Sequence, residues 1–549
     1  MRLQSLVLAP LGVAAAATNA TINTNTNSTS AKACPARPAT ATISSGVING
    51  VATSLPNALS AVNKFLGIPY AAPPARFALP QPPAPWTNAL NTTAFGPSCY
   101  QNFVDNPVAT RPEVTEALYN NPPAPESEDC LTINVFAPAK KPRAKRAVIV
   151  FIPGGAFQIG NGRADLSAFA AYEDIVAVDF NYRNNIFGFP SSPQIPITER
   201  NLGLYDQRLA LQWVQENIAS FGGDPDKVTI WGHSAGATSV DYLLRAYGRD
   251  DAPPAPFRAA VMLSGQSTYG LAAASYPTNG TMWQGIAAEV GCSNATDVLE
   301  CVRRVPAADL IDAQRSTGIL TGPERDNVTF LPDPVDSWES GDVAKVPLLM
   351  GTVAQEGRGL VNDRITLDLF FSTYLPATLV PAAARELIVA TYRATGLTTD
   401  FDIAAAIYTD YVFQCPAALL AETATSIDIP TWRYYFNTSI LTMVPPELSF
   451  LGVFHGSDLF LLLTNPATTK YTVEQYEVYE YLRGGIARFV KDPAGGPGWA
   501  AVGSGPDDVV VLGDVGSTPT AAAPFNATLL DAKCALYAPL YPILQAVLG

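Results

Sequence analysis

The apolar positions of this chain change period along its length, and the changes mark out elements. Ala147-Val148-Ile149-Val150-Phe151-Ile152 is an unbroken apolar run, the pattern of a strand buried on both faces. It leads straight into Pro153-Gly154-Gly155-Ala156-Phe157, a glycine-rich turn. The stretch from Asp206 to Phe221 carries Leu211, Val214 and Ile218 at helical spacing and predicts a helix. Gly222-Gly223-Asp224-Pro225 punctuates that helix, and the β-branched run Val228-Thr229-Ile230-Trp231 predicts the next strand. Val346-Pro347-Leu348-Leu349-Met350 reads as a further buried strand. A short helix is expected from Pro112, a favoured first helical residue, with Val114, Ala117 and Leu118 on one face.

The ends of the chain read differently. Arg2, the apolar stretch Leu3 to Val13 and the small residues Ala14 to Ala17 predict a secretory signal over residues 1–17, too short to span a membrane. Residues 18–40 begin with a Thr, Asn and Ser tract that cannot bury a core, and disorder is expected there. Sequons begin at Asn19, Asn27, Asn91, Asn279, Asn294, Asn327, Asn437 and Asn526 and imply surface glycans on an exported protein. The apolar stretch Leu536 to Leu548 holds two prolines beside Cys534 and reads as a packed terminal segment rather than a lipid-anchor signal.

Composition narrows the function classes. With 48% hydrophobic and 10% aromatic residues the chain can fill a deep core. Its 48 acidic and 34 basic residues give a net charge of −14, which disfavours nucleic acid and anionic membrane surfaces and suits a soluble extracellular protein. Two histidines and no close-spaced cysteine pair leave no plausible zinc ligand set.

Gly232-His233-Ser234-Ala235-Gly236 follows the second of these strands. A glycine-x-serine-x-glycine turn between strand and helix lifts the serine hydroxyl above a sheet. That hydroxyl needs a base, normally imidazole. His233 is adjacent in sequence, so its ring is expected to turn away from Ser234 Oγ, which leaves His455 as the base. The histidine in turn needs a carboxylate, and on such a turn the chain order is serine, acid, histidine. Glu356, just past the strand ending at Met350, stands where loops at the carboxyl ends of strands carry chemistry; Asp333 and Asp336 are the other acids to consider. The residue after the nucleophile, Ala235, offers one backbone N–H to an oxyanion.

The stretches FGGDPDKVTIWGHSAG (Phe221 to Gly236) and EDCLTINVFAP (Glu128 to Pro138) resemble the two signatures of the type-B carboxylesterase/lipase family. FLGIPYAAPP (Phe65 to Pro74), NLGLYDQRLALQWV (Asn201 to Val214) and VFHGSDLF (Val453 to Phe460) extend the resemblance over roughly residues 45 to 540. It implies an α/β-hydrolase fold, with a large, mostly parallel central sheet flanked by helices in a single catalytic domain, residues 41–549. It also implies ester hydrolysis without a cofactor, Glu356 as the acid, and Gly155 and Ala156 as further oxyanion donors. By the same pattern, together with local spacing, Cys99 pairs with Cys130, Cys292 with Cys301 and Cys415 with Cys534, leaving Cys34 over.

Two departures from the family pattern matter. Ala156 stands where a third glycine is usual, and His233 where glutamate is common. The cholinesterase branch uses that glutamate and a tryptophan before the second signature's cysteine to hold choline; here the segment before Cys130 has Tyr119 and no tryptophan, which disfavours choline esters. The expected protein is thus a secreted serine esterase for small-molecule or lipid esters, of short to medium chain length. The alternatives are a triacylglycerol lipase, with residues 100–129 as its lid, and a catalytically silent binding module. The only helix-like piece of that loop has a narrow apolar stripe, and burial yields about 25 cal/mol per Å², so little activation at an oil surface is expected.

Overall fold

The computed structural model describes residues 39–270, 275–464, 469–513 and 521–548, the last few without their side chains. The expected signal peptide, Cys34 and the sequons at Asn19 and Asn27 lie outside the described residues. Pro38–Gly549 forms one compact unit.

Among the described residues, thirteen strands join in a single sheet. In chain order they are β1 (Ala39–Ile43), β2 (Gly46–Thr53), β3 (Val62–Pro69), β4 (Leu90–Asn91), β5 (Thr132–Pro138), β6 (Arg146–Ile152) and β7 (Val176–Phe180). The second half supplies β8 (Gly223–His233), β9 (Ala259–Leu263), β10 (Leu348–Val353), β11 (Thr431–Asn437), β12 (Val509–Gly513) and β13 (Ala523–Phe525). Their order across the sheet is β1-β2-β3-β5-β7-β6-β8-β9-β10-β11-β12-β13, with β4 beside β2. From β7 to β12 every neighbouring pair is parallel, while β1–β2, β2–β3, β3–β5, β5–β7 and β12–β13 are antiparallel. This is the mostly parallel sheet of the α/β-hydrolase fold.

The unbroken apolar run of β6 serves two cores at once. Val148, Val150 and Ile152 face one hydrophobic cluster, while Ala147, Ile149 and Phe151 face another. Side chains alternate across a strand, so a strand covered on both faces must be apolar at every position. Helices Leu202–Asn217 and Ala235–Ala246 cover the first face through Leu211, Val214, Val240 and Leu244. Ser167–Glu173 and Val473–Lys491 cover the second through Phe169, Leu482 and Ile486. The long helix Val473–Lys491 starts at a reciprocal cap, in which Thr472 and Gln475 each accept the other's backbone N–H.

Some boundaries differ from the sequence reading. The first helix of the elbow region starts at Leu202 rather than Asp206, because Leu202 and Leu204 are themselves buried in the core. Strand β1 takes in Ala39 and Thr40, which the composition assigned to the disordered tail; Ala39, Ala41 and Ile43 alternate inward and pair with β2. The helical stretch Asp400–Ser426 is long and apolar enough to cross a membrane, yet 72% of its most apolar window is buried inside the fold. It is a core helix. The bridges present are Cys99–Cys130, Cys292–Cys301 and Cys415–Cys534. The terminal segment packs as expected, with Tyr537, Leu540, Tyr541 and Leu544 buried.

Candidate active site

Neighbouring parallel strands end at one edge of the sheet, and that edge collects the residues singled out above. The glycine-rich loop leaves β6, Ser234 leaves β8 and Glu356 follows β10. Ser234 has φ 56° and ψ −124°, a conformation an L-residue rarely adopts. Its N–H donates to the Leu263 carbonyl at 2.8 Å, and its carbonyl accepts from the Thr238 N–H at 2.9 Å. A Cβ on Gly232 would lie 2.1 Å from the Gly236 oxygen, and one on Gly236 would lie 2.0 Å from the Ile152 oxygen. Only glycine fits at either end of this turn.

The loop after β6 is pressed against the elbow. A Cβ on Gly154 would lie 2.4 Å from the His233 oxygen and 2.9 Å from Ser234 Cβ. Gly155, Ala156 and Phe157 follow at φ 116°, 53° and 59°. Ala156 thus takes the left-handed backbone despite its methyl, and the residue is exposed. Among the described residues, the N–H groups of Gly155, Ala156 and Ala235 have no hydrogen-bond partner. Ala235 also opens the helix Ala235–Ala246, whose N-terminus favours negative charge.

His455 sits on the loop ahead of the helix Ser457–Leu463 and is buried. Its Nδ1 lies 2.6 Å from Glu356 Oε2, and its buried Nε2 has no partner among the described residues. The Val353 N–H donates to Glu356 Oε1 at 2.9 Å and fixes the carboxylate from the end of β10. Burial pushes the Glu356 carboxyl well above the usual carboxylate range, with Ser264 and the Val353 N–H opposing the rise. Burial likewise pushes His455 below the ordinary imidazole value, which favours a neutral ring. A proton on Nδ1, shared with the carboxylate, leaves Nε2 as an acceptor. Such a pair can take a proton from a hydroxyl and return it.

Asp333 and Asp336 are not part of this cluster. They line an open cleft of about 610 Å³ with Asp250, Asp251, Asp342 and Arg249.

Three neighbours of His455 were not picked out as site residues in the sequence. His233 lies beside it, with ring centroids 4.7 Å apart, and is buried with an unpartnered Nε2. The elbow therefore contributes a second imidazole to the wall of the site, and burial and then the neighbouring His455 hold its pKa well down. Phe413, from a π-helical turn at Thr409–Gln414, packs on the His455 ring at a centroid distance of 4.9 Å. Tyr119 donates its hydroxyl to the His455 carbonyl at 2.9 Å. The only sequence signals for these were a histidine inside the elbow and a tyrosine in the segment before Cys130. Phe413 is one apolar residue in a long apolar stretch and has none.

Comparison with known proteins agrees with this architecture. A profile described as "Carboxylesterase family" matches residues 37–512. Secreted lipase 1 of Botryotinia fuckeliana (strain B05.10) is 32% identical over 481 residues, covering 79% of this chain and 82% of its own length. Lipase 2 of Diutina rugosa is 34% identical over 443 residues, with 72% and 79% covered. Lipase 2 of Geotrichum candidum is 33% identical over 458 residues, again with 72% and 79% covered. An α/β-hydrolase sheet carrying this elbow, matched by a profile over nearly its whole length, leaves one placement: the chain belongs to the carboxylesterase family and is a carboxylic ester hydrolase.

Proposed function

We propose that the enzyme is a secreted serine esterase that works through an acyl-enzyme. The observation that carries this reading is the buried His455–Glu356 hydrogen bond, with Nε2 left unpartnered at the sheet edge that also bears the strained Ser234. Ser234 Oγ attacks the ester carbonyl while His455 Nε2 takes its proton, and Glu356 orients the ring and steadies the imidazolium. The N–H groups of Gly155, Ala156 and Ala235 receive the oxyanion. The imidazolium then protonates the leaving alcohol. Water, activated by the same nitrogen, frees the acid and restores Ser234. No step calls for a cofactor.

The substrates favoured are short- to medium-chain esters. Only Val114 and Leu118 of the Pro112–Tyr119 helix are buried, so an opened loop would offer a small apolar face to an oil surface. A second reading, triacylglycerol lipase, is favoured by the names of the relatives above. Rates on p-nitrophenyl esters of increasing chain length, and on a triglyceride carried through its solubility limit, decide between them. A rate peak at short to medium chains without a jump at the limit is expected; long-chain preference with a sharp jump would establish the lipase.

Export is supported by the signal-like N-terminus and by the secreted relative. Glycans would sit at Asn91, Asn279, Asn294 and Asn327, which are exposed, and at the half-buried Asn437 and Asn526. A mass shift on enzymatic deglycosylation of the exported protein tests both points.

A further inference from the structure

Within the loop closed by Cys99 and Cys130, the segment Val108–Tyr119 is fastened at two places, one beside the acid and one at the histidine. At the first, the Thr110 N–H donates to the Leu360 carbonyl and the Asn362 N–H to the Val108 carbonyl, each at 3.1 Å, so that Ala109 pairs with Val361. The Arg111 guanidinium grips both carboxylate oxygens of Asp363, at 2.9 and 3.2 Å. Leu360 to Asp363 continues directly from the short helix Glu356–Gly359 that begins with the acid. At the second, Tyr119 closes the helix Pro112–Tyr119 and donates to the His455 carbonyl. Its ring packs on Phe460 with centroids 5.7 Å apart. Between the two fastenings, Val114 and Leu118 are buried in the second core. One short segment therefore touches the surroundings of both Glu356 and His455, which are 99 positions apart in the chain.

On the serine-esterase reading above, we propose that Val108–Tyr119 is a brace rather than a lid, and that Tyr119 is a positioning residue for His455. A hydrogen bond to a residue's own carbonyl restrains the peptide plane from which its side chain projects. Freed of that bond, the imidazole keeps its place against Glu356 less strictly and meets Ser234 Oγ less often in line, and small misplacements of reacting groups are expensive. A lid, by contrast, has to leave the site to work. This segment cannot leave without breaking the bridge at Ala109, the Arg111–Asp363 ion pair and the bond to His455.

Tyr119→Phe removes the hydroxyl and keeps the ring on Phe460. The expected result is a fall of roughly five- to tenfold in kcat on p-nitrophenyl butyrate with KM unchanged, the size of one net hydrogen bond. The rate of covalent inactivation by a small organophosphonate, which depends on the same serine and base, should fall in parallel. Asp363→Asn, at the other fastening, should lower kcat by less. Wild-type kcat in Tyr119→Phe, even with a lowered melting temperature, would make the bond a structural contact only and overturn the proposal. So would a gain on emulsified tributyrin, which would show a lid that this bond holds shut. Ser234→Ala measured alongside separates the two levels. If it stays active, the serine reading itself fails; if it is dead while Tyr119→Phe is unimpaired, only the brace fails.

Discussion

The two halves of the site are held by different means. On the nucleophile side, Ser234 and the Gly154–Ala156 loop are set by backbone packed against backbone: carbonyls of His233, Gly236 and Ile152 occupy the space where a Cβ at Gly154, Gly232 or Gly236 would go. On the base side, Glu356 opens a short helix and His455 sits on a loop, and the histidine is set by side chains that come from elsewhere. Phe413 and His233 pack on the imidazole and Tyr119 holds the His455 carbonyl, while the acid is held by the backbone N–H of nearby Val353. The nucleophile side is backbone sterics between two adjoining strand ends; the base side depends on side chains from separate segments. A change on the first should wreck the turn, whereas a change on the second should detune it by degrees.

The largest effects break both sides alike. Ser234→Ala and His455→Ala should each cost on the order of a thousandfold or more in kcat while the far-UV spectrum is retained, because members of such a unit do not act separately. His233 stands beside His455 but has no carboxylate partner among the described residues, so it is not expected to rescue the second variant. Normal turnover in His455→Ala would remove the base from the scheme.

The next pair sets the sides against each other. Glu356→Gln should fold normally and lose roughly a hundredfold in kcat, since it leaves the ring in place without its counter-charge. Gly236→Ala should fail earlier, at folding, with a loss of stability of about 3 kcal/mol or more, because the new methyl meets the Ile152 carbonyl rather than a movable side chain. Urea unfolding of the two proteins tests the contrast. A stable, fully active Gly236→Ala protein would erase it.

A smaller effect belongs to the base side alone. Cys415–Cys534 closes a separation of 119 residues, and Gln414 next to it accepts the Thr352 hydroxyl at 2.6 Å, at the end of the strand that leads to Glu356. Replacing both cysteines with serine should cost about 4–5 kcal/mol by the chain-entropy account. Calorimetry should show this, and the protein that remains folded should keep its kcat to within a fewfold.

The smallest is a shift in pH dependence. On the proposed mechanism neutral His455 is the working form and protonation silences it, and burial holds its pKa below the ordinary 6.5. The acid limb of kcat/KM should therefore fall below that value, with activity rising through the limb as pH increases. A profile from about pH 4 to 8, bracketing the reference imidazole value, measures it. A limb centred above 6.5 would mean that the carboxylate, not burial, dominates at this histidine.

The same division explains what could be read from the chain. The strand at β6, the elbow at Ser234 and its helix were legible because their cause is written in consecutive residues: an apolar run, two glycines and a helical stripe. His455 was legible by elimination, as there are only two histidines. Glu356 needed the resemblance to choose it over Asp333 and Asp336, since nothing local distinguishes a carboxylate that will be buried from one that will line an open cleft. The places of His233, Phe413 and Tyr119 around His455 were decided only by the tertiary structure. Each arrives from a different element, and a contact between separate elements leaves no period in the sequence. The elbow's signature is written in consecutive residues, even though its glycines also make room for the neighbouring strand; the setting of the base is packing between side chains of separate elements, which exists only once the sheet has brought its strand ends together.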